Sequence, residues 1–412
     1  MNRLTVVYLG WGEYWPLGEL LEAGRPGEPL LFEYSAEARR QGLELSPLRM
    51  PLAHPGAFRG EAFFLGLPGL IADALPDGWG MLLMDRALTR AGRRPAEASP
   101  LERLAFVGNR AIGALGFEPP APVALDPEDM ELPRLAAEVD QVMEAPADDA
   151  LRHLLLLGGS PQGARPKVLA DFDATSGALS TGHPDAGQPW LFKFPAREEH
   201  RDACAVEELY ARLARRCGME MPATRFFDLA GGYSAFGVCR FDREAGMRVP
   251  LLSLAALLHV DFRLPALDYE TLLRATRRLT GDEREVLRAF ERCVLNVLLH
   301  NRDDHGRNFA FRLGRDRRWR LAPVFDLTFS IGPGGEHTTT VAGEGRAPAR
   351  SHLLEIARRG GIAAKTAVAT IDHLLAGVAE LPALAAELPI RKRRLDEIRR
   401  ILANDWRRVR ET

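Results

Sequence analysis

Three polar side chains in the last third of this 412-residue chain have types and spacing suited to phosphate chemistry. Asp303 is followed five positions later by Asn308, and Asp326 lies 18 positions beyond that, between apolar neighbours in LAPVFDLTFS. A carboxylate such as Asp303 can orient an attacking hydroxyl and accept its proton. An amide oxygen and a second carboxylate are ligands that magnesium takes when substrate phosphates complete its shell. Asp303-Asp304-His305-Gly306 is also good turn chemistry, so the stretch alone is equally consistent with a plain polar loop.

The elements that would position these groups sharpen the choice. Val286, Leu287, Phe290, Val294, Val297 and Leu298 recur at helical spacing, which predicts a buried helix presenting the polar run Asn301 to Asn308 at its end. Asp, Asn five positions on, then Asp flanked by Phe is the order of the catalytic and metal loops of a protein kinase. Upstream, in GGSPQGARPKVLADF, Gly158, Gly159 and Gly163 surround Ser160. Such a turn lets backbone N–H groups converge on an anion, and Lys167 adds positive charge. No Walker-type Gly-Lys-Ser/Thr follows, and glycine-rich hairpin turns are common, so this motif is weak by itself. GQPWLFKFPA reads as a strand carrying Lys193, and residues 202–217 as an amphipathic helix carrying Glu207 and Glu208. Either acid could hold such a lysine at nucleotide phosphates; the plainer alternatives are an edge-strand lysine and a solvated helix face.

Composition sets the bounds. The apolar fraction of 46% and charged fraction of 27% are ordinary for a globular protein, and a net charge of −2 makes no global case for nucleic acid. Of 54 basic residues only Lys167, Lys193, Lys365 and Lys392 are lysine. Where lysine persists, a compact ammonium is the group required rather than a planar fork. Cys204, Cys217, Cys239 and Cys293 lack metal-ligand spacing and fit reduced, mostly buried thiols of a cytoplasmic protein. Residues 1–20 carry Glu13 and Glu19 without a signal-type apolar core, and no apolar run of membrane-spanning length stands out.

In chain order, residues 4–10 read as a strand and LLFEYSAEARRQGLELSP as strand, turn and extended piece. After the Asp77-Gly78 turn, residues 79–88 read as a helix with Met81, Leu82, Met84 and Leu88 inward. Residues 119–133, rich in Pro and acid, read as a linker. Residues 135–143 read as helix, and 224–229 with 233–241 as paired strands about Gly231-Gly232. From Leu251 the chain is mostly helical. Its last stretch, RKRRLDEIRRILANDWRRVRET, has nine basic and four acidic residues, with Leu395, Ile398, Leu402 and Val409 on one face. That is a packed helix with a solvated basic side.

These pieces together resemble the HipA-type toxin serine/threonine kinases of bacterial type II toxin–antitoxin systems. LELSPLRMPL, FFLGLPGLIADALPDGWGMLLMDRAL and VGNRAIGALGFEP look like that family's accessory domain. GGSPQGARPKVLA looks like its phosphate loop and VCRFDR like its hinge strand. NVLLHNRDDHGRNFAF and LAPVFDLTFS look like its catalytic and metal loops. The resemblance makes Asp303 the catalytic aspartate and Asn308 and Asp326 the Mg2+ ligands. It makes Lys193 the ATP-phosphate lysine, Glu207 its helix partner, and Gly159, Ser160, Gly163 and Lys167 parts of the phosphate loop. Ser160 would be the site of autophosphorylation, and Val238, Arg240 and Phe241 would lie along the adenine. Gln162 stands where the family often has glycine, His300 where glycine is usual before the catalytic loop, and Val206 where asparagine is common.

The implied architecture is α+β: an accessory domain (1–118), a sheet-rich N-lobe (119–245) and a helical C-lobe (246–412), with ATP and Mg2+ between the lobes. The implied function is phosphorylation of a serine or threonine of a protein, in known family cases an aminoacyl-tRNA synthetase. The implied partner is a helix-turn-helix antitoxin through which DNA is contacted. The competing readings are an antitoxin-docking corepressor module with vestigial kinase activity and, further off, a small-molecule kinase. The intact Asp303, Asn308, Asp326 and Lys193 favour an active protein kinase.

Overall fold

Leu4 and Val6 are buried and alternate with Arg3 and Thr5, which sets the pleat of the first strand. The computed structural model describes residues 2–22, 28–121, 129–144, 148–158, 161–180 and 187–411. Its first sheet contains β1 (Arg3–Tyr8), β2 (Trp15–Leu21), β3 (Leu31–Tyr34), β4 (Phe58–Arg59) and β5 (Leu115–Glu118). The strands run antiparallel in the order β4-β3-β2-β1-β5. After β3 the chain forms a helix, α1 (Ala36–Gln41), and not the turn and extended piece expected. Ser35 caps its start through its side chain, and Gly42 ends it with φ 61°.

Three further helices, α2 (Gly69–Ala72), α3 (Gly78–Arg90) and α4 (Pro100–Val107), complete this part. In α3 the buried residues are Trp79, Gly80, Leu83 and Met84, so the inward face is rotated from the expected one and only Met84 is shared. Two helices follow, α5 (Leu132–Glu144) and α6 (Asp148–Gly158).

A second sheet is built from β6 (Asp129–Met130), β7 (Lys167–Phe172), β8 (Leu179–Ser180), β9 (Gln188–Lys193), β10 (Thr224–Asp228) and β11 (Ser234–Cys239). It is antiparallel, in the order β10-β11-β9-β7-β8-β6. The hairpin about Gly231-Gly232 is present as expected. Phe172, Trp190, Phe192 and Phe227 pack edge-to-face and stacked on one side of this sheet.

The chain divides into two compact units. The first comprises Met1–Cys204, Thr224–Leu252 and Ala256–His259; the second comprises Ala205–Ala223, Ser253–Ala255 and Val260–Thr412. Helices α7 (Asp202–Arg216) and α8 (Leu254–Leu258) have residues in both. The second unit is mainly helical: α9 (Tyr269–Thr280), α10 (Glu283–Leu298), α11 (Arg350–Arg359), α12 (Ala364–Val378), α13 (Leu381–Ala385) and α14 (Lys392–Arg410). Asp268 caps α9 and Asp282 caps α10, each accepting a backbone N–H two residues on.

The apolar stripe of α10 is buried as expected except at Leu287, which is half-buried: Val286, Phe290, Val294, Val297 and Leu298 lie in the core. In α14, Ile398, Leu402 and Val409 are buried beside Asp405. One stretch departs from the sequence reading: Ala364–Ala385 has the length and composition of a membrane-crossing segment. It is broken between α12 and α13 at Glu380, and Ala367, Ile371, Leu374, Val378 and Leu381 are buried in the protein. All four cysteines are free thiols, with Cys204, Cys217 and Cys293 buried.

Candidate active site

The site grows out of the end of α10. A helix leaves its last carbonyls without intrahelical partners. Here the Trp406 indole N–H donates to the Leu298 carbonyl and the Tyr210 hydroxyl to that of Leu299, both at 2.8 Å. His300 then turns into the left-handed region, φ 50°, where glycine is favoured. Its ring is held in that turn by stacking on Phe329, 5.4 Å between centroids, and by Nδ1 at 2.7 Å from Asp405 Oδ2. Next, Asn301 bridges Ser330 in parallel, with the Arg302 N–H donating to Ser330 and the Ser330 N–H to His300. The loop after α10 is thus zipped to the segment that follows Asp326.

The two consecutive aspartates separate completely. Asp303 has 52% of its side chain exposed, with His305 Nε2 at 3.8 Å from Oδ1. Asp304 is fully buried. Its Oδ2 accepts from the Tyr269 hydroxyl and from His337 Nδ1, both at 2.7 Å, and its Oδ1 from the Thr338 and Thr339 N–H groups. Because a carboxylate acceptor requires a donor, Nδ1 of His337 carries the proton. Burial, and then the Asp304 carboxylate beside it, push the Tyr269 phenol well above its ordinary pKa, so it stays a donor. Tyr269 in turn accepts from Asn296 Nδ2, and Asn296 Oδ1 accepts from Asn301 Nδ2. Buried hydrogen bonds therefore fix the floor of the loop, and the neighbouring Asp303 side chain lies at the surface.

Asn308 donates Nδ2 to the backbone carbonyl of Asp303 at 2.7 Å, so its side-chain oxygen is the atom it can offer a cation. Asn308 shares a small cavity with Asn296, Asn301, Phe309 and Phe325, the last adjoining Asp326. Asp326 is half-buried with φ 55°, a conformation that Asp tolerates better than most side chains. An amide oxygen and a carboxylate are hard donors that fit magnesium. Among the described residues no group of three or more His, Cys, Asp or Glu side chains forms a metal cage, so an ion held by Asn308 and Asp326 requires further oxygens, as from phosphates.

In the first unit, Lys167 and Lys193 are direct cross-strand partners on β7 and β9, and both residues are buried. Opposed residues of an antiparallel pair project from the same face. Two of the chain's four lysines therefore lie side by side, a placement suited to a polyanion. Lys167 donates to the Gln162 carbonyl, and the Lys193 ammonium lies 5.7 Å from the Phe236 ring centre. Gly163 has φ 104°, and a Cβ there would collide with the Lys167 ammonium. Gly159 and Ser160 lie outside the described residues.

Val238 is on β11, paired with Thr224 and Leu191, and Arg240 follows, donating its N–H to Pro189. The Arg240 guanidinium forms a two-point pair with Asp242, which Arg243 and the Gly113 N–H also engage. Phe241 between them is half-buried. On α7, Glu207 and Glu208 are both buried, and Glu208 Oε1 accepts from Arg212 at 2.7 Å. The buried Tyr269, Asp304 and His337 were missed in the sequence, where nothing distinguishes Asp304 from Asp303.

Two family profiles match the chain. One, described as the HipA-like C-terminal domain, spans residues 159–381, more than half of the chain; the other, the HipA N-terminal domain, spans residues 10–118. The chain belongs to the HipA family. A Haemophilus influenzae protein named "Putative kinase" is 26% identical over 156 residues, 34% of this HipA-family chain and 44% of the relative's length. The match thus spans less than half of that relative. A chain of the Shewanella oneidensis MR-1 toxin–antitoxin complex of HipA, HipB and operator DNA superposes with a TM-score of 0.72 at 16% identity. The superposition covers 98% of this chain and 96% of that one. The fold is the two-lobed, protein-kinase-like α+β fold of HipA proteins, with an accessory α+β domain before it.

Proposed function

We propose that this HipA-family protein is a Mg-ATP-dependent serine/threonine protein kinase whose catalytic aspartate is Asp303. The observation that carries the reading is the contrast in surroundings between Asp303, half of whose side chain is exposed, and the buried Asp304, which accepts four hydrogen bonds. A catalytic carboxylate has to meet the acceptor hydroxyl and yet sit on a backbone that does not move. Asn308 and Asp326 would hold Mg2+, which when bound with ATP neutralises charge developing on the transferred phosphoryl group. Lys167 and Lys193 would receive phosphate oxygens, with Glu207 as the helix partner of Lys193, and Val238 to Phe241 would border the adenine. Asp303 would orient the serine or threonine hydroxyl of the acceptor and take its proton as the new bond to the γ-phosphorus forms and the bond from that phosphorus to the β–γ bridging oxygen breaks, with ADP as the leaving group.

Several finer features belong to the same proposal. The accessory domain is residues 1–118, the N-lobe 119–245 and the C-lobe 246–412. Ser160 is the residue the protein phosphorylates on itself; the charge of roughly −1.5 to −2 this adds would repel the nucleotide and silence the kinase. A helix-turn-helix antitoxin is the partner, and the target is a protein of the translation machinery, an aminoacyl-tRNA synthetase being the class the resemblance suggests. The site of action is the cytoplasm.

The test is a phosphoproteomic comparison of cells expressing the wild type and Asp303→Asn. The proposal expects serine or threonine phosphopeptides that appear only with the wild type. Identical phosphoproteomes, with both proteins abundant and folded, would remove the kinase reading.

A further inference from the structure

The LPDGWG stretch that opens α3 has no part in the chemistry described above. Asp77 stands at the N-cap position of α3, where an aspartate ordinarily accepts a backbone N–H of its own first turn. It makes no such bond. Its Oδ1 instead accepts the N–H of Gly163, 86 positions away in the glycine-rich loop. The reverse bond is also present: the Trp79 N–H, one of the donors a helix start leaves unsatisfied, donates to the Gly163 carbonyl at 3.0 Å. Helix start and loop therefore cap each other.

Two neighbouring contacts make the junction tight. Gln162 Nε2 donates to the Asp73 carbonyl at 2.7 Å. Gly78 has φ 41°, and a Cβ there would meet the Gly163 oxygen and the Ala164 Cα at 2.6 Å, both backbone atoms that cannot swing aside. The backbone of the helix start lies directly on the loop. Gln162 is one of the residues making the connection.

We propose that Asp77 is a positioning residue: through Gly163 it fixes the base of the glycine-rich loop in the conformation that receives nucleotide phosphates. The functional half of this inference rests on the reading of that loop as the ATP phosphate loop; the structural half does not. A loop that is competent only part of the time binds with an affinity reduced by its competent fraction. Releasing the latch should therefore appear in nucleotide affinity and leave the chemical step alone.

The test compares Asp77→Ala with Asp77→Asn, whose amide oxygen can still accept the Gly163 N–H. Three readouts are taken: the steady-state constants for ATP, thermal melting, and amide hydrogen exchange of a peptide covering residues 162–169. Asp77→Ala should raise KM for ATP roughly ten-fold with kcat at saturating ATP unchanged. It should speed exchange in that peptide without lowering the global melting temperature appreciably. Asp77→Asn should stay close to wild type in all three. Unchanged exchange in Asp77→Ala would overturn the latch, and equal damage from both variants would overturn the hydrogen bond as its basis. Faster exchange with unaltered ATP affinity would leave the latch standing and refute the phosphate-loop reading, so the two failures are distinguishable.

Discussion

Asp303 and Asp304 are adjacent in the chain and opposite in surroundings: the Asp303 side chain is 52% exposed, whereas the Asp304 carboxylate is fully buried with four donors aimed at it. The donors come from Tyr269 at the start of α9 and from residues 337–339, so Asp304 ties three separate segments together under the loop. Asp304→Ala should leave two N–H groups, a phenol and an imidazole buried without their acceptor. The expected loss is about 3 kcal/mol or more of stability, read as a lowered melting temperature. A variant melting with the wild type would show that the network contributes nothing to the fold.

Lys193→Arg should fail to support turnover although charge is retained. Lys193 is buried opposite Lys167 on the neighbouring strand, where a wider planar guanidinium does not replace an ammonium. A drop in kcat/KM of roughly ten-fold or more is expected. Wild-type kinetics would contradict the role given to this lysine pair.

Asp326 is best tested as Asp326→Asn, because its φ of 55° would strain alanine and is tolerated by asparagine. Calorimetric ATP binding should weaken by about ten-fold or more with magnesium present and change little without it. Equal weakening in both conditions would make Asp326 structural.

Asp242 provides a pH test. Burial alone would raise its carboxyl, and the Arg240 and Arg243 guanidiniums with the Gly113 N–H outweigh burial and hold it well below the usual carboxylate range. A carboxyl lowered by folding contributes stability that is complete above its unfolded value, about 3.9, and is lost as pH falls toward the folded value. Asp242→Asn should therefore cost about 3 kcal/mol or more at pH 7, and the gap to wild type should narrow below about pH 4. Melting curves at the two pH values check the sign; a gap that widens in acid would contradict it.

How much of this could be read from the chain alone depended on how local the signal was. The order Asp303, Asn308, Asp326 and the apolar stripe of α10 are local patterns, and the helix with a polar loop after it is found where the stripe ends. The separation of Asp303 from Asp304 was not legible, because burial of one is imposed by Tyr269 and His337, each more than 30 positions distant. The same holds for Asp77, whose partner Gly163 is 86 positions away. Helix α1 escaped because its six residues, AEARRQ, carry caps but no apolar stripe. Strand β2 was not foreseen because WPLGELL contains both Pro16 and Gly18, residues that speak against a strand.

The most direct measurement is phosphoryl transfer from radiolabelled ATP by purified wild type and Asp303→Asn, with ATP binding and melting temperature followed in parallel. Asp303 is an exposed loop residue, so the substitution should leave fold and nucleotide affinity intact while transfer falls on the order of 10³-fold or more. Transfer near the wild-type rate in a folded, ATP-binding Asp303→Asn protein would contradict the assignment of Asp303 as the catalytic aspartate.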